Sequence, residues 1–137
     1  MSLVVDASVV VAALIDSGPV GRWAETILVK QSLCAPHLMP VEAANILRRA
    51  TIGRDISVDM ATVCHGDLTN LQVELFPYYP FALRAWELHP NITLYDAWYV
   101  ALAESIGSKL ATLDTRLARS PGPVCDFMLP PEGRPEP

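Results

Sequence analysis

The sequence predicts a single α/β domain built around a mostly parallel β-sheet, and three observations support this prediction. Short apolar segments rich in β-branched residues alternate with longer helical segments along the chain. Turn-forming residues separate these segments, as in Asp16-Ser17-Gly18-Pro19. The chain has 137 residues, of which 51% are hydrophobic. A domain of this size can therefore bury its own core without disulfides or structural metal ions.

Two strands and four helices are predicted in the first half of the chain. Leu3-Val4-Val5 has the composition of a buried parallel strand. Pro40 suits the first turn of a helix, and Ser57 suits an N-cap position. In chain order, the predicted elements are a strand at 3–5, helices at 7–15 and 20–30, a strand at 32–35, and helices at 40–51 and 57–70.

Three strands and three helices are predicted in the second half. The helix at 93–105 has the clearest pattern, because Leu94, Trp98 and Leu102 recur at helical spacing and Gly107 follows. The predicted elements are a strand at 72–76, helices at 81–88 and 93–105, a strand at 109–113, a helix at 114–119 and an edge strand at 124–128. The domain is predicted to span residues 1–129, and the proline-rich segment 130–137 is predicted to be a mobile tail.

Charge and composition exclude several classes of protein. The 15 Asp and Glu residues outnumber the 10 Lys and Arg residues, giving a formal charge of −5. This balance argues against nucleic-acid binding by bulk positive charge, so any such role needs a local site. The cysteines at positions 34, 64 and 125 lack the spacing of a zinc site or disulfide framework. The longest apolar run is too short to span a membrane, and no basic leader precedes it, so we expect a cytoplasmic protein.

Four acidic residues stand where predicted strands end and predicted helices begin. Asp6 and Asp114 each lie between a strand and a helix, whereas Glu42 and Asp96 each lie in the first turn of a helix. Each position has a structural interpretation, because Asp6 and Asp114 suit N-caps and Glu42 suits the positive end of a helix dipole. Asp96 could complete a capping box with Thr93.

Taken together, the four acids favour a metal site. The carboxyl ends of parallel strands lie along one edge of a sheet, where α/β folds bind ligands. Four carboxylates gathered there would repel one another by several kcal/mol per close pair, and a divalent cation relieves that repulsion. Oxygen ligands alone suit Mg²⁺ or Mn²⁺, and one or two such ions are the usual apparatus for phosphodiester hydrolysis.

Four segments resemble the motifs of the PIN-domain ribonucleases, in the family's order and at its approximate spacing. They are VVDASVVVAAL at 4–14, PVEAANIL at 40–47, YDAWYVALA at 95–103 and ATLDTRL at 111–117. Size and compactness most resemble the VapC-type toxins of bacterial toxin–antitoxin pairs. The resemblance implies a three-layer α/β/α sandwich and an endoribonuclease that uses one or two Mg²⁺ or Mn²⁺ ions.

The resemblance also implies roles for individual residues. Asp6, Glu42, Asp96 and Asp114 would form the acidic metal-binding pocket. Ser8 and Thr112 would hydrogen-bond the acids or a metal-bound water, and Asn45 would orient Glu42 or contact the substrate; their alternatives are ordinary helix, strand and surface positions. Some relatives carry a fifth acid where this chain has Arg116, so a site that draws on five acids is not expected here.

The expected partners are RNA and a small cognate antitoxin. Arg48, Arg49 and Arg54 on or after the Glu42 helix, with Arg116 and Arg119 near Asp114, could contact RNA phosphates, although each also suits a solvated surface. The resemblance implies an antitoxin peptide in the acidic groove, and either a homodimer or a heteromeric complex with the antitoxin.

Two other functions fit parts of the sequence. A phosphoaspartate receiver or phosphatase would also place Asp after the first strand, but Ser8 stands where the phosphatase needs a second Asp. The receiver needs a late strand-end lysine, whereas Lys109 begins its strand. A catalytically silent PIN-fold binding module is the other alternative, and the presence of all four acids argues against it.

Overall fold

The computed structural model describes residues 1–131 and contains a five-stranded sheet in which all the strand pairs are parallel. The strand order is β3-β2-β1-β4-β5, which confirms the predicted α/β class. Leu3 of β1 aligns with Leu33 of β2 on one side and with Lys109 of β4 on the other. The strands are β1 (Ser2–Val5), β2 (Ser32–Pro36), β3 (Val73–Phe76), β4 (Lys109–Ala111) and β5 (Phe127–Met128).

Helices cover both faces of the sheet. The connections β1–β2–β3 run in one direction across the sheet and β3–β4–β5 run in the other, so right-handed crossovers place α1 to α4 on one face and α5 to α7 on the opposite face. In agreement, α1 packs on α2, α3 and α4, whereas α6 packs on α5, β1, β2 and β4. The helices are α1 (Ala7–Ile15), α2 (Pro19–Lys30), α3 (Met39–Ile52), α4 (Val58–Thr69), α5 (Ala82–Leu88), α6 (Leu94–Ile106) and α7 (Thr115–Arg119).

The central strand β1 lies at the heart of the core. Leu3, Val4 and Val5 are at most 1% exposed, because β1 has neighbours on both edges and helices on both faces. The sheet changes direction between β1 and β4, and the crevice beyond the carboxyl ends of those two strands is where open α/β sheets bind ligands. Asp6 and Asp114 follow these two strands, so the topology places both acids at that crevice.

Two predicted strands are longer than the observed ones. The strand predicted at 109–113 ends at Ala111. The Thr112 N–H makes the last bond to β5, to Met128 O at 3.1 Å, and Asp114 N then donates to Thr112 Oγ1 at 3.0 Å instead of to a strand. The strand predicted at 124–128 is only Phe127–Met128, because Val124 N donates to Glu104 Oε2 at 2.7 Å instead of to a strand.

The remaining differences lie at the ends of elements. The helix predicted at 81–88 begins with a 3₁₀ turn at Tyr79–Phe81. The helix predicted at 93–105 runs from Leu94 to Ile106, with Thr93 as its N-cap. The predicted tail falls mainly on residues 132–137, which lie outside the described residues. Within residues 1–131, every helix is too short or too polar to cross a membrane.

Candidate active site

A cleft of about 710 Å³ opens at the carboxyl edge of the sheet, and the four predicted acids line it. Asp6 comes from the β1–α1 junction, Glu42 from α3, Asp96 from α6 and Asp114 from the β4–α7 junction. The structure therefore brings together four side chains that are spread over most of the sequence.

Asp6 is the most constrained of the four acids. Its Oδ1 accepts hydrogen bonds from Ser8 Oγ at 2.5 Å and Val9 N at 3.2 Å, so it caps α1. Its Oδ2 accepts a hydrogen bond from the buried Thr112 hydroxyl. Burial raises the pKa of Asp6, and the hydrogen bonds from Ser8 and Thr112 partly oppose that rise because they favour the carboxylate.

Ser8 and Thr112 also connect the two strand ends. Leu113 N donates to Ser8 Oγ at 3.2 Å, and Asp114 N donates to Thr112 Oγ1 at 3.0 Å. Each hydroxyl therefore donates to Asp6 and accepts from the backbone that follows β4, which fixes its orientation. The predicted hydrogen bonding of Ser8 and Thr112 to an acid is present.

Asp114 is exposed and caps α7. Its Oδ1 accepts from Arg116 N at 2.9 Å and from Leu117 N at 3.2 Å. A carboxylate oxygen with two donors has little remaining capacity, so Oδ2 is the atom that Asp114 can offer to a ligand.

Asp96 lies in the first turn of α6, where Thr93 is the N-cap and accepts from Asp96 N at 3.2 Å. Burial raises the pKa of Asp96, and the negative charges of Asp114 and Asp6 raise it further. The contribution of these charges shows that Asp96 lies close enough to Asp114 and Asp6 for the carboxylates to repel one another.

Glu42 is held by Tyr99, a residue for which the sequence predicts no role in the site. The Tyr99 hydroxyl donates to Glu42 Oε1 at 2.7 Å, and Tyr99 as a whole is only 3% exposed. Burial raises the pKa of Glu42, the Tyr99 hydroxyl opposes that rise, and Asp96 and Asp6 add to it. Tyr99 follows Asp96 by three positions on α6, a spacing that places both on one side of a helix and could have signalled its role.

The cleft has an unbalanced negative charge. Among the described residues, the ion pairs are those of Arg84 with Glu87 and Glu104, so none of the four acids has a Lys or Arg partner. In residues 1–131, no three Asp, Glu, His or Cys side chains are grouped tightly enough to enclose one ion as they stand. The acids therefore share a cleft without forming a closed cage.

The other predicted residues differ in their positions. Asn45 and Arg49 line the cleft, whereas Arg48 is exposed outside its lining. Arg116 lines a neighbouring groove that shares Asp96 and Asp114 with the cleft. In the described part of the chain, the hydrogen-bond donor that orients Glu42 is Tyr99 rather than Asn45.

Comparison with known proteins shows similarity along nearly the whole chain. The family model for the PIN domain matches residues 3–122. Ribonuclease VapC1 of Mycobacterium tuberculosis strain H37Rv is 38% identical over 127 residues, which cover 92% of this chain and 96% of that protein.

Solved structures share the fold. PAE2754 from Pyrobaculum aerophilum superposes with a TM-score of 0.69 at 24% identity, over 93% of this chain and 83% of that one. VapBC2 from Rickettsia felis, solved with a DNA fragment from its promoter, superposes with a TM-score of 0.63 at 12% identity, over 93% of this chain and 98% of that one.

Proposed function

This chain belongs to the PIN-domain family and is a VapC-type ribonuclease toxin, and from this premise we propose that Asp6, Glu42, Asp96 and Asp114 form the divalent-metal site at which it cleaves RNA internally. The observation that carries the proposal is the convergence of four carboxylates in one cleft without a cationic partner among residues 1–131. Their mutual repulsion raises the pKa of Asp96 and Glu42 beyond the effect of burial.

The donor set fits Mg²⁺ or Mn²⁺. All four side chains offer oxygen, the ligand atom that these hard cations prefer. Mg²⁺ usually keeps several waters and binds through one or two carboxylates, so an open cleft suits it better than a closed cage would. Asp96, Asp6 through Oδ2 and Asp114 through Oδ2 would hold one or two ions, because the other oxygens of Asp6 and Asp114 already have two donors each.

Each acid then has a defined task. A bound ion supplies Lewis-acid stabilisation of the scissile phosphate and a more acidic water. Ser8 and Thr112 keep Asp6 oriented toward the cleft, and Tyr99 holds Glu42 through Oε1. Oε2 of Glu42 is then the atom that can orient the attacking water or accept its proton.

RNA has to approach an acidic protein, and bound ions ease that approach. Two divalent ions would reduce the formal charge from −5 to −1. Arg49 lines the cleft on the α3 side and Arg116 lies beside Asp114, so both can contact phosphates that flank the cut. We infer that an antitoxin peptide closes the same cleft in the cell. We also infer that the toxin is cytoplasmic and forms a homodimer or a heteromeric complex with its antitoxin.

The alternative of a catalytically silent binding module predicts neither metal binding nor cleavage, and the 38% identity to a ribonuclease argues against it. The phosphoaspartate receiver is disfavoured by Lys109, which lies at the start of β4, the opposite end of that strand from Asp114.

The decisive experiment measures cleavage and metal dependence together. Purified protein is incubated with total cellular RNA in Mg²⁺, Mn²⁺ or EDTA, and the new RNA ends are mapped by sequencing beside Asp96→Asn. We expect discrete cuts that leave a 5′-phosphate and a 3′-hydroxyl, with nearly complete loss in EDTA and in the variant. Cleavage that persists in EDTA would contradict the metal site, and no cleavage with any ion would favour the silent module.

A further inference from the structure

We propose that the groove next to the acid cleft binds the RNA nucleotide that flanks the cleavage site, with Arg116 contacting its phosphate. This groove, called the Arg116 groove below, has a volume of about 550 Å³ and shares Asp96 and Asp114 with the cleft. The inference rests on the proposed function and extends it, because it assigns a substrate subsite outside the acidic pocket.

Continuity with the cleft is the first argument. Asp96 and Asp114 form a common wall, so a strand whose phosphate lies at the acids has a neighbouring nucleotide within reach of the groove. The volume of the groove falls in the range of ordinary small-molecule sites. On the opposite side, the cleft is bounded by α3 with Arg49, which gives the acids one arginine on each side.

The charge of Arg116 is the second argument. In the described part of the chain, its guanidinium makes no ion pair, although two carboxylates line the same groove. The Arg116 backbone is held by the two residues that flank α7. Its N–H donates to Asp114 Oδ1, and its carbonyl accepts from Ser120 Oγ at 2.8 Å. A fixed backbone with a free guanidinium suits a phosphate contact.

The remaining lining suits a nucleotide better than a peptide side chain or a lone ion. Asn91 and Thr93 add polar groups. His89 also lines the groove, and its ring stacks on Trp86, outside the lining, with centroids 4.0 Å apart and an interplanar angle of 18°. Within residues 1–131, the groove lining therefore holds one ring, that of His89, and one cation. Proteins bind single-stranded RNA with this combination, because bases stack on rings and phosphates pair with arginine.

The test measures RNA binding without requiring cleavage. A short, fluorescein-labelled, single-stranded RNA of random sequence is titrated with the full chain in EDTA at several salt concentrations, and anisotropy gives Kd. Arg116→Ala is compared with Arg22→Ala, a matched control because Arg22 is an exposed arginine on α2 that lines neither the cleft nor the groove. The salt slope counts phosphate contacts, so a lost contact lowers it by about 0.7 for a single strand.

We expect Arg116→Ala to weaken binding about three- to tenfold and to lower the slope of log Kd against log salt by about 0.7, while Arg22→Ala leaves both near wild type. Photocrosslinking of the same RNA carrying 4-thiouridine should then label the peptides that contain His89–Thr93 or Arg116. Equal slopes for the two variants, or crosslinks confined to other surfaces, would overturn the inference. Groove binding by a protein that fails to cut total RNA would instead refute the proposed function alone.

Discussion

At the scale of single residues, Tyr99 holds Glu42 in place in the cleft. Its buried hydroxyl reaches across from α6 to α3 and donates to Glu42 Oε1. Tyr99→Phe removes that donor and leaves the ring, so the fold should persist while Glu42 loses its orientation. We expect cleavage to fall about tenfold to a hundredfold, because a hydrogen bond to a charged group contributes roughly 1.5–3 kcal/mol.

The measurement is the initial rate of RNA cleavage beside the circular dichroism spectrum of each variant. Tyr79→Phe is the control, because Tyr79 is 88% exposed and lies outside the cleft. A Tyr99→Phe enzyme with the wild-type rate would show that Glu42 needs no such support.

The pocket acids should also make the metal-free protein more stable in mild acid than at neutral pH. The pKa of Asp6, Glu42 and Asp96 is raised in the folded state, mainly by burial. The folded state therefore binds protons more tightly than the unfolded chain does, and stability rises as pH falls from 7 toward the ordinary values of 3.8 and 4.5. The pKa of Glu104 is lowered in the folded state, so its contribution to stability is fully present above about pH 4.5.

Urea denaturation in EDTA at pH 7 and at about pH 5 measures this difference. The wild type should be more stable at the lower pH, and Asp96→Asn should gain less because one of the titrating groups is gone. A wild type that loses stability from pH 7 to about pH 5 would contradict a raised pKa of the pocket acids in the folded state.

The four acids could be predicted from sequence because each sits at a strand end or a helix start, and those positions share one edge of a parallel sheet. Capping and pocket formation proved compatible: Asp6 and Asp114 cap α1 and α7 and also line the cleft. Tyr99 escaped prediction because a buried tyrosine in a helix most often serves packing, and only the fold brings it to Glu42.

At the scale of elements, two glycines that both lie inside helices differ in the space around them. A Cβ at Gly21 in α2 would lie 1.7 Å from the Asp16 carbonyl oxygen, so only glycine allows α2 to approach the end of α1 this closely. A Cβ at Gly66 in α4 would meet nothing within 4 Å. Gly21→Ala should destabilise the protein by about 1–3 kcal/mol or more, whereas Gly66→Ala should stabilise it by roughly 0.5–1 kcal/mol.

Thermal melts of the two variants beside wild type test this contrast. Similar melting temperatures for Gly21→Ala and Gly66→Ala would indicate that α1 and α2 can separate without cost.

The order and type of the elements could be predicted because apolar periodicity and turn residues mark them locally. The ends of β4 and β5 could not, because hydrogen bonds from distant parts of the chain determine them. The Thr112 hydroxyl binds Asp6 while its N–H still pairs with Met128 O, and Glu104 of α6 accepts a hydrogen bond from the backbone at Val124. For this reason the predicted strand at 109–113 continued too far at its carboxyl end, and the predicted strand at 124–128 began too early.

At the scale of the whole molecule, metal binding should appear as stability. Adding Mg²⁺ or Mn²⁺ at a hundredfold excess over Kd should stabilise the wild type by about 2.7 kcal/mol, which corresponds to a rise in Tm on the order of several degrees. Asp96→Asn should be at least as stable as wild type without metal, because it removes one repelling charge, and should respond much less to the ion.

Thermal melts of both proteins in EDTA and in Mn²⁺ distinguish two interpretations. In one the four acids share a metal site, and in the other each acid only stabilises the start of its own helix. If Asp96 served only the first turn of α6, its replacement would cost up to about 1 kcal/mol and the ion would shift neither protein. A wild type with the same Tm in both buffers would therefore contradict the metal site.

The position of β1 between β2 and β4 has a consequence for synthesis on the ribosome. The bond between Thr112 and Asp6 joins residues 106 positions apart, and β4 supplies the last partner of the central strand. Chains emerge and begin to fold from the N-terminus, and closing so long a loop is slow. The nascent chain carries Asp6 and Glu42 long before it carries Asp114. Because the proposed metal site needs all four acids, we expect ribonuclease activity only when nearly the whole chain has left the ribosome.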